Sequence, residues 1–404
     1  MKREINKISI LVGNGFDMQV LKHLKMSNDT SYPSFYNFIN WKYSNMINDN
    51  LIVKQMKCDK ESEKKNWADF ENTIKDIIKL EYENKNENFS NKEYINALTE
   101  LQRCFSDFLN TVVTTKVLTQ VDKLGKIIDT PESGFGARKS LPLYTLQFFI
   151  GDLSEEERLN MKFIKKAKHH NTVDFTIFNF NYTFLFDNYI MLDKDNFDPH
   201  VYKHSENNFH LQLFLKDGEK EERFTKLKSK IFHPHGFQHT PRSMLFGFDN
   251  PNQVIKDYKE DLYTNSEVQE YVKYFLKPYW AENEKKYKKI LEKTELYIIF
   301  GLSIGESDKY WWKEIASNLI KEKAELIIYN YIGNKKQKEQ VVPSDNEEQK
   351  EQVIQKFLSA SDITSQEDKD KALERIFVVN CTEEKPRYAF NVDPEKIPKE
   401  EDSI

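Results

Sequence analysis

Residues 5–17 read Ile-Asn-Lys-Ile-Ser-Ile-Leu-Val-Gly-Asn-Gly-Phe-Asp, and their reading decides the fold. Ile5, Ile8, Ile10 and Val12 are β-branched or apolar, and the run stops at Gly13-Asn14-Gly15. An apolar run of this length forms a buried strand, and closely spaced glycines mark a tight turn after it. A strand feeding a glycine turn is the opening unit of an α/β sheet.

Beyond this turn the period changes. From about Tyr32 to Lys126 the apolar residues fall at helical spacing: Phe35, Phe38 and Ile39, then Ile74, Ile77 and Ile78, then Leu101, Phe105, Phe108 and Val112. The strand signal returns at Thr172–Phe178 and ends in Asn179-Phe180-Asn181-Tyr182-Thr183, with Thr183 placed to cap a short helix. It returns at Ile231–His235, closed by Gly236, where Pro234 confines it to an edge or an end. Further strands are expected at Ser243–Phe248, at Glu295–Phe300 before Gly301-Leu302-Ser303, at Ala324–Tyr331, and as an edge at Ile376–Val379. Segment 200–228 is polar and poorly periodic. Helices are expected over about 266–293, kinked or split at Pro278, and from about Asp308. Residues 333–375 read as charged, helical and solvated, and the last twenty as a mobile tail. Strand–helix alternation predicts an open, mostly parallel α/β sheet with a large helical insertion after the first strand. The chain then divides into a core of 1–16 and 171–332, an insertion of 17–170, and a charged C-terminal region of 333–404.

The bulk features narrow the function. The 404 residues carry 60 Lys+Arg against 65 Asp+Glu, a net charge of −5, where a dedicated nucleic-acid binder shows a basic excess. The 29 Phe and 20 Tyr supply apolar area for a large core, which excludes disorder throughout. Cys58, Cys104 and Cys381 are far apart, so a zinc ribbon is excluded and a reducing compartment fits. No stretch reaches the roughly 18 apolar residues that span a bilayer, and the N-terminal run is too short for a signal peptide, so a cytoplasmic protein is expected.

Polar or glycine-rich loops follow four of the expected strands. In open α/β sheets ligands bind at the carboxyl ends of strands, so four such loops point to one site. Gly13 and Gly15 either let backbone amides approach a phosphate or close a simple turn. Asn179 and Asn181 can orient a ribose hydroxyl or a water, or cap a turn. His233 and His235 share one face if 231–235 is a strand, which with His239 gives half a metal site, but no carboxylate or cysteine at ligand spacing accompanies them. His235 alone can serve as a base near neutral pH, or be held by the loop. Gly301 and Ser303 repeat the logic of the first turn. Asp308 reaches the site or caps the next helix. Trp311 and Trp312 read as core, and Asp69 and Glu71 as the solvent edge of a helix, or with one of them reaching toward the site.

In order, LVGNGFD (Leu11–Asp17), WADFE (Trp67–Glu71), NFNYT (Asn179–Thr183), His235-Gly236 with LFGFDN (Leu245–Asn250), and FGLSIGESDKYWW (Phe300–Trp312) resemble the abortive-infection AbiH family of bacterial anti-phage proteins. That family is similar to the sirtuin superfamily, with its Rossmann-like NAD fold. The resemblance implies that Gly13, Asn14, Gly15, Gly236, Gly301 and Ser303 cradle NAD. It implies that Asn181 and His235 face the nicotinamide ribose. If NAD+ is cleaved there, Asp308 is a candidate ribose contact, and nicotinamide leaves as a neutral molecule, so no metal is needed. Protein-deacetylating sirtuins carry a four-cysteine zinc module, which three cysteines cannot build, so the expectation moves to hydrolysis of NAD+. Asp17 stands where sirtuins have a small hydroxyl residue, and beside a diphosphate it would repel unless it faced ribose. The other reading is a sensor that binds NAD or ADP-ribose without turning it over. A metal-dependent nuclease built on the three histidines stands third. A defence enzyme that depletes NAD also carries the expectation of a phage trigger and of contacts between copies of the chain.

Overall fold

The computed structural model describes residues 4–64, 67, 69–84, 91–126, 140–192, 209–215, 219–254, 273–333 and 347–398. Seven strands are described: β1 Ile5–Val12, β2 Thr172–Asn179, β3 Phe209–Phe214, β4 Lys220–Phe232, β5 Leu296–Phe300, β6 Glu325–Tyr331 and β7 Ile376–Cys381. They form one sheet of order β3-β4-β2-β1-β5-β6-β7. Five pairings are parallel, and β3 runs antiparallel to β4. The fold is α/β, and its sheet is mixed.

β1 sits at the centre because it can be covered on both faces. Ile8, Ile10 and Val12 join one core and Leu11 the other, and β5 divides in the same way, with Ile298 and Phe300 opposite Tyr297 and Ile299. Strands buried on both faces read as near-continuous apolar runs, which is why these were visible in the sequence. The described elements between β1 and β2 are helical, among them Asn14–His23, Tyr32–Lys42, Leu51–Glu61, Phe70–Asn84, Asn91–Val112 and Thr115–Leu124. Ser31, Asn50 and Thr114 each accept a first-turn amide and so fix where three of them start. Phe35, Phe105 and Phe108 from these helices share one core with Ile8, Ile10 and Val12 of β1.

Several expectations are corrected. The polar segment 200–228 contains the β3–β4 hairpin, and β4 starts at Lys220 rather than near Ile231. Lys226, Lys228 and Lys230 occupy alternate exposed positions of β4 and hid its period. His233 and His235 lie beyond the end of β4, so they do not share a strand face. Residues 243–248 are not a strand: a short turn at Pro241–Ser243 leads to one isolated bridge between Phe248 and Leu276. Of the helix expected over 266–293, residues 266–272 lie outside the described residues. The rest is Lys277–Trp280 followed by Asn283–Leu291, and Pro278 opens the first of these rather than kinking one long helix.

The tail is also corrected over 385–398, while 399–404 lie outside the described residues. Asp152 is half-buried and accepts hydrogen bonds from Tyr388 N at 2.6 Å, Ala389 N at 2.9 Å and the Tyr329 hydroxyl at 2.9 Å. Phe390 stacks on Phe300 with ring centres 4.3 Å apart. The segment thereby covers the sheet face over β5 and β6. Among the described residues no helix is long and apolar enough to cross a membrane.

Candidate active site

The parallel strands place the ends of β1, β2, β4 and β5 along one edge of the sheet. Sequence order reverses direction between β1 and β5, and ligands of open α/β sheets bind at such a switch point. A cleft of about 1500 Å³ lies there, lined by Gly13, Asn14, Gly15, Asp17, Asn181, His235, Gly301, Ser303 and Asp308. Nine of the ten expected site residues therefore meet in one place. Gly236 is not among the lining residues. Its backbone has φ +81, and a Cβ there would lie 2.0 Å from Ser243 O, so it serves the turn that carries His235.

The glycines at the cleft floor let two turns touch. Gly13 N donates to Phe300 O and Gly15 N to Gly301 O, both at 2.9 Å. A Cβ at Gly13 would stand 2.5 Å from the Leu302 side chain, and one at Gly15 2.6 Å from Gly301 Cα. These two amides are thus donated to carbonyls of the neighbouring turn instead of facing outward. Asn14 ties the floor to the next loop, donating to Thr30 O and accepting from the Thr30 hydroxyl.

Asp17 is fully buried beside the loop after β2. It accepts from Asn181 Nδ2 at 3.0 Å and from the Thr183 hydroxyl at 2.5 Å. That leaves Asn181 Oδ1 buried and without a hydrogen-bond partner. Asn179 braces the same loop: its Oδ1 accepts from Asn181 N, and its Nδ2 donates to Asp187, which pairs with His233 Nε2 at 2.9 Å. Thr183 itself does not begin the following helix, whose cap position is Phe184.

Burial pushes the Asp17 carboxyl up to about 7, and Asp187 adds to it, against the pull of Thr183 and His233. The native state then holds this proton between about pH 4 and 7, where the unfolded chain has released it. Stability is present in full below about pH 4 and falls as pH rises to 7, by on the order of 4 kcal/mol for this group. Asp17→Asn is expected to flatten that part of the profile, read as the difference between variant and parent denaturant midpoints from pH 4 to 8.

His235 is nine-tenths buried between the rings of Phe180 and Tyr182. Its Nε2 lies 3.0 Å from Asp308 Oδ1, close enough for an ion pair but out of line for a hydrogen bond. Asp308 does not cap the helix Lys309–Ile320 with its side chain. The same Oδ1 accepts from Lys277 Nζ at 2.8 Å, and Lys277 lies 3.4 Å from Glu71 Oε1. Burial opposes the charge on each, but the pairing wins: Lys277 is held above the usual lysine range and Asp308 below the usual carboxylate range. Burial pushes the adjacent Asp249 up to about 7, against the pull of Lys277.

Of the two readings for Asp69 and Glu71, the structure has the one that reaches the site: both line the cleft wall. Asp69 accepts from Glu71 N and Asn72 N at the start of its helix, and Glu71 reaches Lys277. Lys277 was missed altogether. The available signal was one lysine inside the aromatic run Tyr274-Phe275-Leu276-Lys277-Pro278-Tyr279-Trp280. His233, His235 and His239 do not converge: they contact Asp187, Asp308 and the Phe184 ring respectively. Among the described residues no group of three His, Cys, Asp or Glu side chains is placed to hold a metal. Trp311 and Trp312 are core.

A comparison with curated proteins finds no match. The family model for bacteriophage abortive infection AbiH matches residues 10–331, which include every cleft residue discussed above from Gly13 to Asp308. With the match covering most of its length, the chain belongs to the AbiH family, whose role is abortive-infection defence against bacteriophage.

Proposed function

We propose that the protein cleaves NAD+ to ADP-ribose and nicotinamide during abortive infection. The observation that carries this reading is the buried, unpartnered Asn181 Oδ1 in the same cleft as the His235–Asp308 pair at the switch point. Unpartnered buried polar atoms are costly, and a ligand that supplies their partners removes that cost. The cleft exceeds the roughly 300–1,000 Å³ of an ordinary small-molecule site and has room for a dinucleotide. Counting only the six strands paired in parallel, the order is 3-2-1-4-5-6 by appearance, the order of dinucleotide-binding folds, which supports the Rossmann-like reading.

In this reading Gly13, Asn14, Gly15, Gly301 and Ser303 form the floor under the nucleotide. Asp17 is held by Asn181 and Thr183, and burial pushes its carboxyl up to about 7, which weakens its repulsion of a diphosphate. Asn181 Oδ1 accepts from a ribose hydroxyl or from the attacking water. The bond between ribose C1′ and the pyridinium nitrogen breaks, its electron pair stays on nitrogen, and nicotinamide leaves neutral. Water adds to C1′ and gives up a proton to the His235 imidazole, while ionised Asp308 stabilises the cation formed. The reading includes a phage trigger and contacts between copies.

Purified protein, and protein recovered from infected cells, is expected to convert NAD+ to equal amounts of ADP-ribose and nicotinamide, followed by chromatography. Saturable NAD+ binding with no product in either preparation would overturn hydrolysis and favour the nucleotide sensor.

A further inference from the structure

Lys277 is a lysine whose side chain is only 3% exposed, and burial on this scale needs a reason. It comes from a different segment than any motif residue and meets two carboxylates brought from elsewhere in the chain, Asp308 and Glu71, with Asp249 close enough to act on its charge. Its ammonium also donates to Ser307 O at 3.1 Å, which fixes it to the loop that carries Asp308. One oxygen, Asp308 Oδ1, is shared between Lys277 Nζ at 2.8 Å and His235 Nε2 at 3.0 Å. The rest of the His235 ring is faced by Phe180 and Tyr182. Of the other charges near the loop, Glu306 pairs with Lys75, and Asp69 accepts the amides of its own helix.

We propose that Lys277 is a positioning residue of this site, which shares Asp308 with His235 and limits how strongly that carboxylate draws a proton onto the imidazole. A lone carboxylate 3.0 Å from an imidazole would favour the imidazolium, which cannot act as a base. An ammonium on the same oxygen offsets that field and keeps the carboxylate ionised, so that it is available when the imidazole takes up a proton. The role of His235 as base rests on the proposed NAD+ cleavage. The electrostatic link between Lys277 and His235 does not.

The test follows the His235 ring by nitrogen-15 NMR across pH, with the signal assigned by its loss in His235→Gln. In Lys277→Met the titration midpoint is expected to move upward from the wild-type value by about one pH unit or more. Lys277→Arg is expected to stay within a few tenths of wild type. If wild type turns over NAD+, the acid limb of its kcat/KM profile moves with the midpoint while KM changes by less than about threefold. Should Lys277→Met fail to fold, the pair Lys277→Met with Glu71→Gln removes the charge imbalance and is expected to move the midpoint in the same direction by a smaller amount. A midpoint unchanged in a folded variant overturns the proposal and leaves Lys277 a structural cation. Wild type without NAD+ turnover overturns the cleavage reading instead, and the titration is still read.

Discussion

His235→Ala is expected to lower NAD+ turnover by about 10²- to 10⁴-fold, the usual contribution of a positioned general base. The methyl group cannot take the proton of the attacking water, and Asp308 loses the cation it would stabilise. Asp308 keeps Lys277 at 2.8 Å, so the variant is expected to fold with a denaturant midpoint near wild type. That separates lost chemistry from lost structure. Asn181→Ala is expected to raise KM as well as lower kcat, because it removes the acceptor offered to ribose and leaves Asp17 without one of its two donors. Rates come from initial-velocity measurements of nicotinamide release. Turnover by folded His235→Ala equal to wild type would remove the histidine from the mechanism.

The second large effect is on stability. Gly236→Ala is expected to cost about 3–5 kcal/mol. Gly236 has φ +81, where an L side chain is strained, and a Cβ would stand 2.0 Å from Ser243 O and 2.4 Å from Ser243 C. Ser243 cannot step aside freely, since its hydroxyl accepts from Phe237 N and donates to Thr240 O. Leu245 N donates to His235 O, so any shift of this turn moves the imidazole too. Gly305→Ala is the control: a Cβ there meets only Ser303 O at 3.8 Å, and the expected cost is within about 1 kcal/mol. Denaturant unfolding of the two variants beside wild type reads both, and equal midpoints would mean that the 235–245 turn relaxes easily.

Local pattern revealed β1, β2, β5 and β6 because each has residues in both cores and carries a cluster of β-branched and aromatic side chains. It did not reveal β4, where Lys226, Lys228 and Lys230 alternate with Leu227, Ser229 and Ile231, or the 385–398 segment, where Phe390 is held by Phe300, a residue distant in sequence. The site divides in the same way. Gly13, Asn181, His235 and Gly301 were legible because each follows a strand end, where a sheet gathers its loops. Lys277 and Glu71 were not, because a buried charge is defined by partners from other parts of the chain. Asp17 was legible as an oddity beside a glycine turn, but its bond to Asn181 depends on the pairing of β1 with β2.

The central position of β1 has a consequence for synthesis. Of the described strands it is the first in sequence, yet its neighbours begin only at Thr172 and Leu296. At about 5–20 residues per second, roughly 15–60 s pass before both of its edges have a partner. For that time an apolar strand with unpaired amides and carbonyls is exposed to other nascent chains. The helices that follow β1 in sequence, packed on the same core, are then its first shelter. Yield of soluble protein should depend on translation rate and chaperone supply more than the stability of the finished fold would suggest.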